Sequence, residues 1–508
     1  MKQQINSSDN RKLGASLSMI NMVMSVALGL VYTPFVLRFL GQNEYGVFTL
    51  ANSLISYLSI LDLGFGNALV RYTARARAMG KKESNIYGMF LSFYSAIAVV
   101  AMGAGIILYG YLEHFFSTSF GIQEIQILKR IYIILLVNTV ISFPASVFSS
   151  IIRSHEKFIF ANGLNLIQNV SRHILNIVVL YVGFRSVSLA VLSLCFTVLA
   201  AMLNIWFCFR NIKIRITFGR FSSSFYREVF VYSFYILLNI LVDQLYASTD
   251  NVILGKVCGS AAVAIYGVGV VFEAYFVQFS TSVASVFLPH ISKLVVQPDG
   301  KKEISRLFLQ VGRIQFLILS LVLIGYITLG KEFIALWAGP GYEQSYFVAL
   351  VIMIPDLIPL SQNLGISVLQ AHNKHGVRSI MYIFIAVFNV IISIPLAIKF
   401  QGAGAALGTA VGTFLGQICF MNWYYWKKME LNIPEYWKNV LLIFLKSIPV
   451  ILAFYLTDRW IHILGWCGLI LKGGISLMLV IPYYYFVILD RDEKNLICGM
   501  LKLQGKRG

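Results

Sequence analysis

The chain has 508 residues, of which 58% are apolar and only 12% are charged, and its formal net charge is +19. A soluble domain of this length could not hide so much apolar surface, because it must present polar surface to water. The positive charge does not indicate a nucleic-acid partner, since Lys and Arg recur in short clusters between apolar runs. The composition therefore predicts an all-α integral membrane protein.

Motifs for enzymatic and metal chemistry are missing from the sequence. The six cysteines stand singly, without a CxxC pair or a nearby His, at Cys195, Cys208, Cys258, Cys419, Cys467 and Cys498. There is no GxSxG, HExxH or Walker A motif. We therefore expect no enzyme activity, no metal and no cofactor, so that any energy for transport comes from an ion gradient or the substrate gradient.

Fourteen apolar segments are long enough to span the hydrocarbon core as helices. They cover residues 14–38, 45–68, 87–111, 129–152, 158–181, 187–209, 228–254, 261–288, 307–330, 345–370, 377–398, 403–425, 439–457 and 466–489. The polar N-terminus leads into an apolar run too long for a signal peptide, so we expect the first segment to be a membrane helix. The loops are too short for a folded catalytic domain.

The loop charges predict the orientation of the chain. Loops on one side carry twenty-nine Lys and Arg residues, and loops on the other side carry eight. Because cytoplasmic loops are enriched in Lys and Arg, the richer side is predicted to be cytoplasmic, with both termini on it. The chain is therefore expected to cross a membrane many times.

The two halves of the sequence resemble each other at a nearly constant offset. Asn21 matches Asn239, Gly41 matches Gly259, Tyr45-Gly46 matches Tyr266-Gly267, and residues 154–157 (SHEK) match residues 371–374 (AHNK). Each copy holds six predicted helices, an even number, so the copies are predicted to be parallel repeats. We expect an N-terminal lobe at residues 1–215, a C-terminal lobe at 216–430, and an added helical hairpin with a cytoplasmic tail at 431–508.

Polar residues within the spans are candidate binding residues, because such groups are costly in hydrocarbon. Two sets share a helix face by their spacing: Asn239, Asp243, Tyr246 and Asp250 in span 7, and Asn165, Gln168, Arg172 and Asn176 in span 5. Asn21 is the span-1 counterpart of Asn239. The alternative is that these faces join helices through hydrogen bonds. For Asp250, a solvated helix end is a further alternative.

Further ionisable residues lie in other spans. They are Asp62, beside two glycines in LDLGFGN, and Glu273, Arg313, Asp356, Lys446 and Lys472. Asp62, Asp243, Asp250 and Glu273 are predicted to serve coupling or gating. For Lys446 and Lys472, the alternative interpretation is that their side chains extend towards the membrane surface instead of lining a cavity.

Several segments resemble the polysaccharide transporter branch of the multidrug/oligosaccharidyl-lipid/polysaccharide exporter superfamily, which includes Wzx-type O-antigen flippases. They are Phe39-Leu40-Gly41 with Glu44-Tyr45-Gly46, residues 61–76 (LDLGFGNALVRYTARA), 250–255 (DNVILG) and 333–342 (FIALWAGPGY). The resemblance covers essentially the whole chain. It implies a two-lobed, MATE-like bundle that moves an oligosaccharide on an undecaprenyl diphosphate carrier by alternating access. It also implies that the protein lies in a bacterial cell (inner) membrane.

This task would require a cationic, polar cavity for the diphosphate-sugar head. Arg172 and Arg313 are predicted to hold the diphosphate, and Asn165, Gln168, Asn176, Asn21, Asn239 and Tyr246 to meet the sugar. The expected partners are the lipid-linked oligosaccharide and membrane lipid, together with a polysaccharide polymerase and glycosyltransferases. Two alternatives remain open: a multidrug or cation exporter of the same superfamily, and a scaffold for a synthesis complex.

Overall fold

The computed structural model describes residues 2–219, 221–295, 297, 299–372, 374–461, 463, 465–490, 493 and 494. Within these ranges the regular structure is helical, without β-strands, and comprises sixteen α-helices. This confirms the predicted all-α membrane fold. The helices fall into two compact units, the first formed by Met1–Gly267 with Ala397–Gly402 and the second by Val268–Leu396 with Ala403–Gly508.

The first unit contains eight described helices and the start of a ninth. They are α1 (Lys2–Leu40), α2 (Gln42–Leu58), α3 (Phe65–Ala78), α4 (Ser84–Phe116), α5 (Ile122–Ser154), α6 (Phe158–Tyr181), α7 (Ser186–Phe207), α8 (Ser223–Cys258) and the start of α9 (Ser260–Leu294). One hydrophobic core joins α3, α4 and α5 through Tyr72, Phe90, Tyr94 and Ile151, each at most 2% exposed. Buried aromatic rings thus hold this part of the bundle together.

The second unit contains the remainder of α9 and seven further described helices, except that Ala397–Gly402 within the helix His375–Gly412 belongs to the first unit. They are α10 (Gly300–Trp337), α11 (Gln344–Ser361), α12 (Leu364–Ala371), α13 (His375–Gly412), α14 (Met421–Lys428), α15 (Ile433–Trp460) and α16 (Trp466–Tyr483). The core packs α10 against α14, α15 and α16 through Phe308, Tyr425, Tyr436 and Val480. The predicted C-terminal hairpin, α15 and α16, is therefore an integral part of this core.

Eleven segments of the described chain are long and apolar enough to cross a membrane. Helices α6 and α8 are not among them, although they have 24 and 36 residues. The eleventh and twelfth predicted spans appear as one segment, Gly376–Lys428, which has a break at Gln401 with a φ of 51°. The multi-pass fold is confirmed, and the count of fourteen spans stays a prediction.

The compact units divide at a different place from the predicted lobes. The sequence placed the boundary between residues 215 and 216, whereas the first unit continues to Gly267. The reason is the contact of α8 with α2. Asn251 donates to Ser53 over 3.0 Å, and Tyr57 and Thr249 share a hydrogen bond of 2.8 Å. The proposed sequence repeat is a separate matter and stays a prediction.

Two glycines at matching positions of the predicted repeat connect consecutive helices. Gly41 joins α1 to α2 with a φ of 75°, and Gly259 joins α8 to α9 with a φ of 87°. A positive φ is readily adopted only by glycine, so both joints need this residue. The shared conformation is what a repeat would require.

Gly46 lies at a close approach of α2 to the first turn of α9. A Cβ atom at Gly46 would lie 1.9 Å from the backbone oxygen of Ser260. We expect Gly46→Ala to destabilise the protein by about 1–3 kcal/mol, because the backbones must separate. Thermal unfolding in detergent measures this, with Gly103→Ala as control, since a Cβ atom there meets no atom within 4 Å. Equal melting temperatures of the two variants would contradict this packing.

Candidate substrate cavity

A polar cavity of about 400 Å³ lies within the first unit between α5, α6 and α7. Helix α6 contributes Asn165, Gln168, Asn169 and Arg172. The other two helices contribute the hydroxyl and amide side chains of Ser142, Ser146, Ser149, Ser193, Thr197 and Asn204. Among its described lining residues Arg172 is the only charged one. We call this space the Arg172 cavity.

Three of the four residues predicted to share a face of span 5 line the Arg172 cavity. Asn165, Gln168 and Arg172 follow helical spacing, so their side chains leave α6 on one side. Gln168 also donates to the backbone oxygen of Phe196 in α7 over 3.2 Å. Arg172 is exposed and has no ion pair with another described residue. The guanidinium is therefore available to an anion.

Asn176 and Asn21 do not line the Arg172 cavity but lie where α6 packs against α1. Asn176 is buried and donates to the Tyr32 hydroxyl over 3.2 Å. Asn21 donates to the backbone oxygen of Asn162 over 2.8 Å. This is the arrangement expected of side chains that join helices. Their predicted contact with substrate stays a prediction.

Arg313 lies in the second unit, on α10, and binds the C-terminal segment. Its Nε is 2.7 Å from a Glu493 oxygen, and one terminal nitrogen is 3.0 Å from an Asp490 oxygen. It also donates to the backbone oxygen of Ile488 over 2.9 Å. Holding a diphosphate, the role predicted for Arg313, would require these carboxylates to leave.

Two of the acidic candidates accept a hydrogen bond from tyrosine. Tyr94 donates to Asp62 over 2.7 Å, where the chain is interrupted between α2 and α3. Tyr266 donates to Asp250 over 2.6 Å. Asp250 is only 2% exposed, so the alternative of a solvated helix end is wrong.

The remaining candidates lie on α8 and α9. The side chains of Asn239 and Asp243 are outside the described residues, and Tyr246 is half-buried. Glu273 is half-buried on α9 and interacts electrostatically with buried Asp356 of α11. Two carboxyl groups thus interact inside the second unit.

The end of α5 that is predicted to be cytoplasmic carries a separate group of ionisable side chains. Glu83 pairs with Arg77 at 2.6 Å and lies 3.3 Å from His155. Burial is the largest single influence on Glu83 and opposes its ionisation, but the hydrogen bonds from Arg77 and Tyr87 and the charges of Arg77 and His155 together outweigh it and lower the pKa of the carboxyl. Burial lowers the pKa of His155, and the Arg77 charge adds to the effect. These contacts fix the turn that follows α5.

The residues of α5 and α7 that line the Arg172 cavity were not among the predicted site residues. Ser142, Ser146 and Ser149 have helical spacing, which could have indicated a polar face on span 4. Their hydroxyls donate to backbone oxygens of their own helix, three residues earlier. They therefore offer oxygen lone pairs to the cavity.

Two proteins of similar sequence have names that refer to transport or to a flippase. A protein of Shigella flexneri named "Putative O-antigen transporter" is 21% identical over 77% of this chain and 92% of its own length. The "Probable flippase AglR" of Haloferax volcanii is 22% identical over 78% and 79%. These names agree with the prediction of a transporter and not an enzyme.

Solved structures show the same fold. The lipid II flippase MurJ, in an inward closed conformation, has a TM-score of 0.72 at 17% identity and covers 93% of this chain and 99% of its own. An inward-facing MATE family multidrug transporter has a TM-score of 0.64 at 15% identity, with coverage of 84% and 99%. The family model described as "Polysaccharide biosynthesis protein" matches residues 13–295, more than half of the sequence. The fold is thus similar to those of MurJ and a MATE family transporter, and the chain belongs to the polysaccharide biosynthesis protein family.

Proposed function

We propose that the protein is a flippase that moves an undecaprenyl-diphosphate-linked oligosaccharide from the cytoplasmic to the outer leaflet by alternating access. The observation that carries the proposal is the chemistry of the Arg172 cavity. Its described lining offers one free guanidinium, several amides and hydroxyls, and no carboxylate. A diphosphate needs forked cationic donors, and a sugar needs neutral hydrogen-bonding groups. A cationic drug would instead require carboxylates in the walls and would be repelled by the guanidinium.

The relatives support the same class of substrate. The names of the Shigella flexneri and Haloferax volcanii proteins refer to O-antigen transport and to a flippase, and the solved MurJ structure is that of a lipid II flippase. In the proposal, Arg172 holds the diphosphate while Asn165 and Gln168 meet the sugar. Polymerase and glycosyltransferase partners stay a prediction.

A second candidate function, export of a cationic compound, is favoured by the interaction of Glu273 with Asp356. Two carboxyl groups that repel each other inside a membrane protein favour protonation of one of them or binding of a cation. In a flippase the same pair would serve ion coupling. Asp62, Asp243 and Asp250 stay candidates for coupling or gating.

Deletion of the gene in the source cell distinguishes the two functions. We expect surface glycan to fall and the undecaprenyl-diphosphate-linked intermediate to accumulate, because synthesis continues while translocation stops. Mass spectrometry of extracted lipids measures the intermediate, and a plasmid copy of the gene should restore its normal level. An unchanged intermediate together with greater sensitivity to lipophilic cations would refute the flippase and support the exporter.

A further inference from the structure

A second polar cavity, of about 770 Å³, lies in the first unit between α3 and the start of α8. The residues that matter here are Arg71 and Tyr72 of α3, and Ser223, Arg227, Glu228 and Tyr232 of α8. We call it the Arg71 pocket. None of its residues lines the Arg172 cavity. The orientation predicted from the loop charges puts it at the cytoplasmic surface of the membrane.

The Arg71 pocket has two arginines without an ion-pair partner among the described residues, Arg71 and Arg227. Glu228, its acidic residue, is bound by Arg75 at 2.8 Å. The guanidinium carbon of Arg71 lies 4.4 Å from the centre of the Tyr232 ring. In such a contact the flat face of the guanidinium packs against the ring, so the N–H groups at its edge remain available to donate hydrogen bonds.

The first turn of α8 adds donors of the same kind. The helix begins at Ser223, capped by Ser222, and has no acidic residue in its first turn. The first backbone N–H groups of a helix have no partner within it and favour an anion. Together with Arg71 and Arg227, these groups suit the oxygens of a phosphate.

An apolar cavity of about 440 Å³ continues from the Arg71 pocket along α8. The two share Val231, and the apolar part is lined by Leu63, Phe230, Phe234 and Leu237 together with Ser233. Phe230 and Phe234 are 47% and 55% exposed. A phosphate site that opens onto an exposed apolar surface matches a lipid better than a free anion.

We propose that the Arg71 pocket and the adjoining apolar cavity bind one anionic, phosphate-bearing membrane lipid. Its phosphate lies against Arg71 and Arg227, and its hydrocarbon chain lies along Phe230 and Phe234. Two lipids have this chemistry: a polyprenyl diphosphate carrier and an anionic glycerophospholipid. If the lipid is the polyprenyl diphosphate carrier, the pocket is a loading site for the transported substrate, and this version of the proposal rests on the proposed function. If the lipid is a glycerophospholipid, the proposal is independent of the proposed function.

Photo-crosslinking to the full-length protein in detergent tests the site. The probes are undecaprenyl diphosphate, phosphatidylglycerol and diacylglycerol, each with a diazirine in its chain. Mass spectrometry quantifies labelling of residues 230–237. We expect at least one phosphate-bearing probe to label this segment and diacylglycerol to label it at least tenfold less. The more strongly labelling phosphate probe identifies the source of the ligand.

Matched variants assign the labelling to the two arginines. Arg71→Ala with Arg227→Ala should lower it at least tenfold, whereas Lys81→Ala with Lys82→Ala, which removes the same charge from exposed residues outside the pocket, should change it less than twofold. Val231→Trp, which fills the junction without changing the charge, should also abolish labelling.

Equal labelling by diacylglycerol, or unchanged labelling of the double arginine variant, would overturn the proposal. Should the double arginine variant fail to fold, the Val231→Trp result decides, and labelling at the wild-type level would again overturn the proposal. The proposed function is tested separately, by transport in the intact cell.

Discussion

Arg172→Ala is expected to lower glycan export by about ten- to a hundredfold while the protein remains folded and inserted. The variant removes the one charged group among the described residues that line the Arg172 cavity. A hydrogen bond to a charged group contributes about 1.5–3 kcal/mol, which corresponds to this range of rates if it forms with the diphosphate during transport. Because Arg172 forms no ion pair with other described residues, its loss should leave no carboxylate unpaired.

Replacing Arg172 by lysine tests whether the charge alone is sufficient for export. Arg172→Lys should restore export only in part, since an ammonium offers a point charge without the fork. Arg153→Ala is the matched control, because this exposed arginine stands near the end of α5 and outside the cavity. Surface glycan is measured by staining and protein level by immunoblot. Normal glycan in the Arg172→Ala strain at an unchanged protein level would refute the assigned role.

Lys472→Met is expected to produce the largest loss of stability among the single changes discussed. Lys472 of α16 lies 2.7 Å from Glu332 of α10 and 2.8 Å from Asp458 of α15, with a side chain only 8% exposed. It therefore joins the C-terminal hairpin to α10. Removing the buried ammonium leaves the partly exposed carboxylates of Glu332 and Asp458 without a counter-charge, at a cost of about 3 kcal/mol. The partial exposure of Asp458 places this at the lower end of the usual range.

Neutralising the partners should reverse this effect. The triple variant Lys472→Met, Glu332→Gln, Asp458→Asn should regain most of the lost stability, since no buried charge is left without a partner. Lys446→Met is the control, because Lys446 is exposed and its ammonium lies 3.4 Å from a backbone oxygen. Thermal unfolding in detergent gives the comparison. A single variant as stable as the wild type would show that the ion pair does not hold the hairpin.

The class of the protein and its helices follow from local features of the sequence. A run of about twenty apolar residues is sufficient for a membrane helix, because the backbone satisfies its own hydrogen bonds within each segment. The shared face of Asn165, Gln168 and Arg172 is likewise a local property, since residues at helical spacing point the same way wherever the helix packs. The cavity at this face contains all three.

What each polar face meets was decided only by the tertiary structure. Asn176 extends the same spacing, yet it contacts Tyr32 of α1, because one side of α6 packs against that helix. Arg313 pairs with Glu493, which lies 180 residues away in the sequence. The serines of α5 complete the Arg172 cavity from another helix. Helix periodicity fixes the direction of a side chain about its own axis, whereas the packing of distant segments determines whether a cavity or another helix lies there.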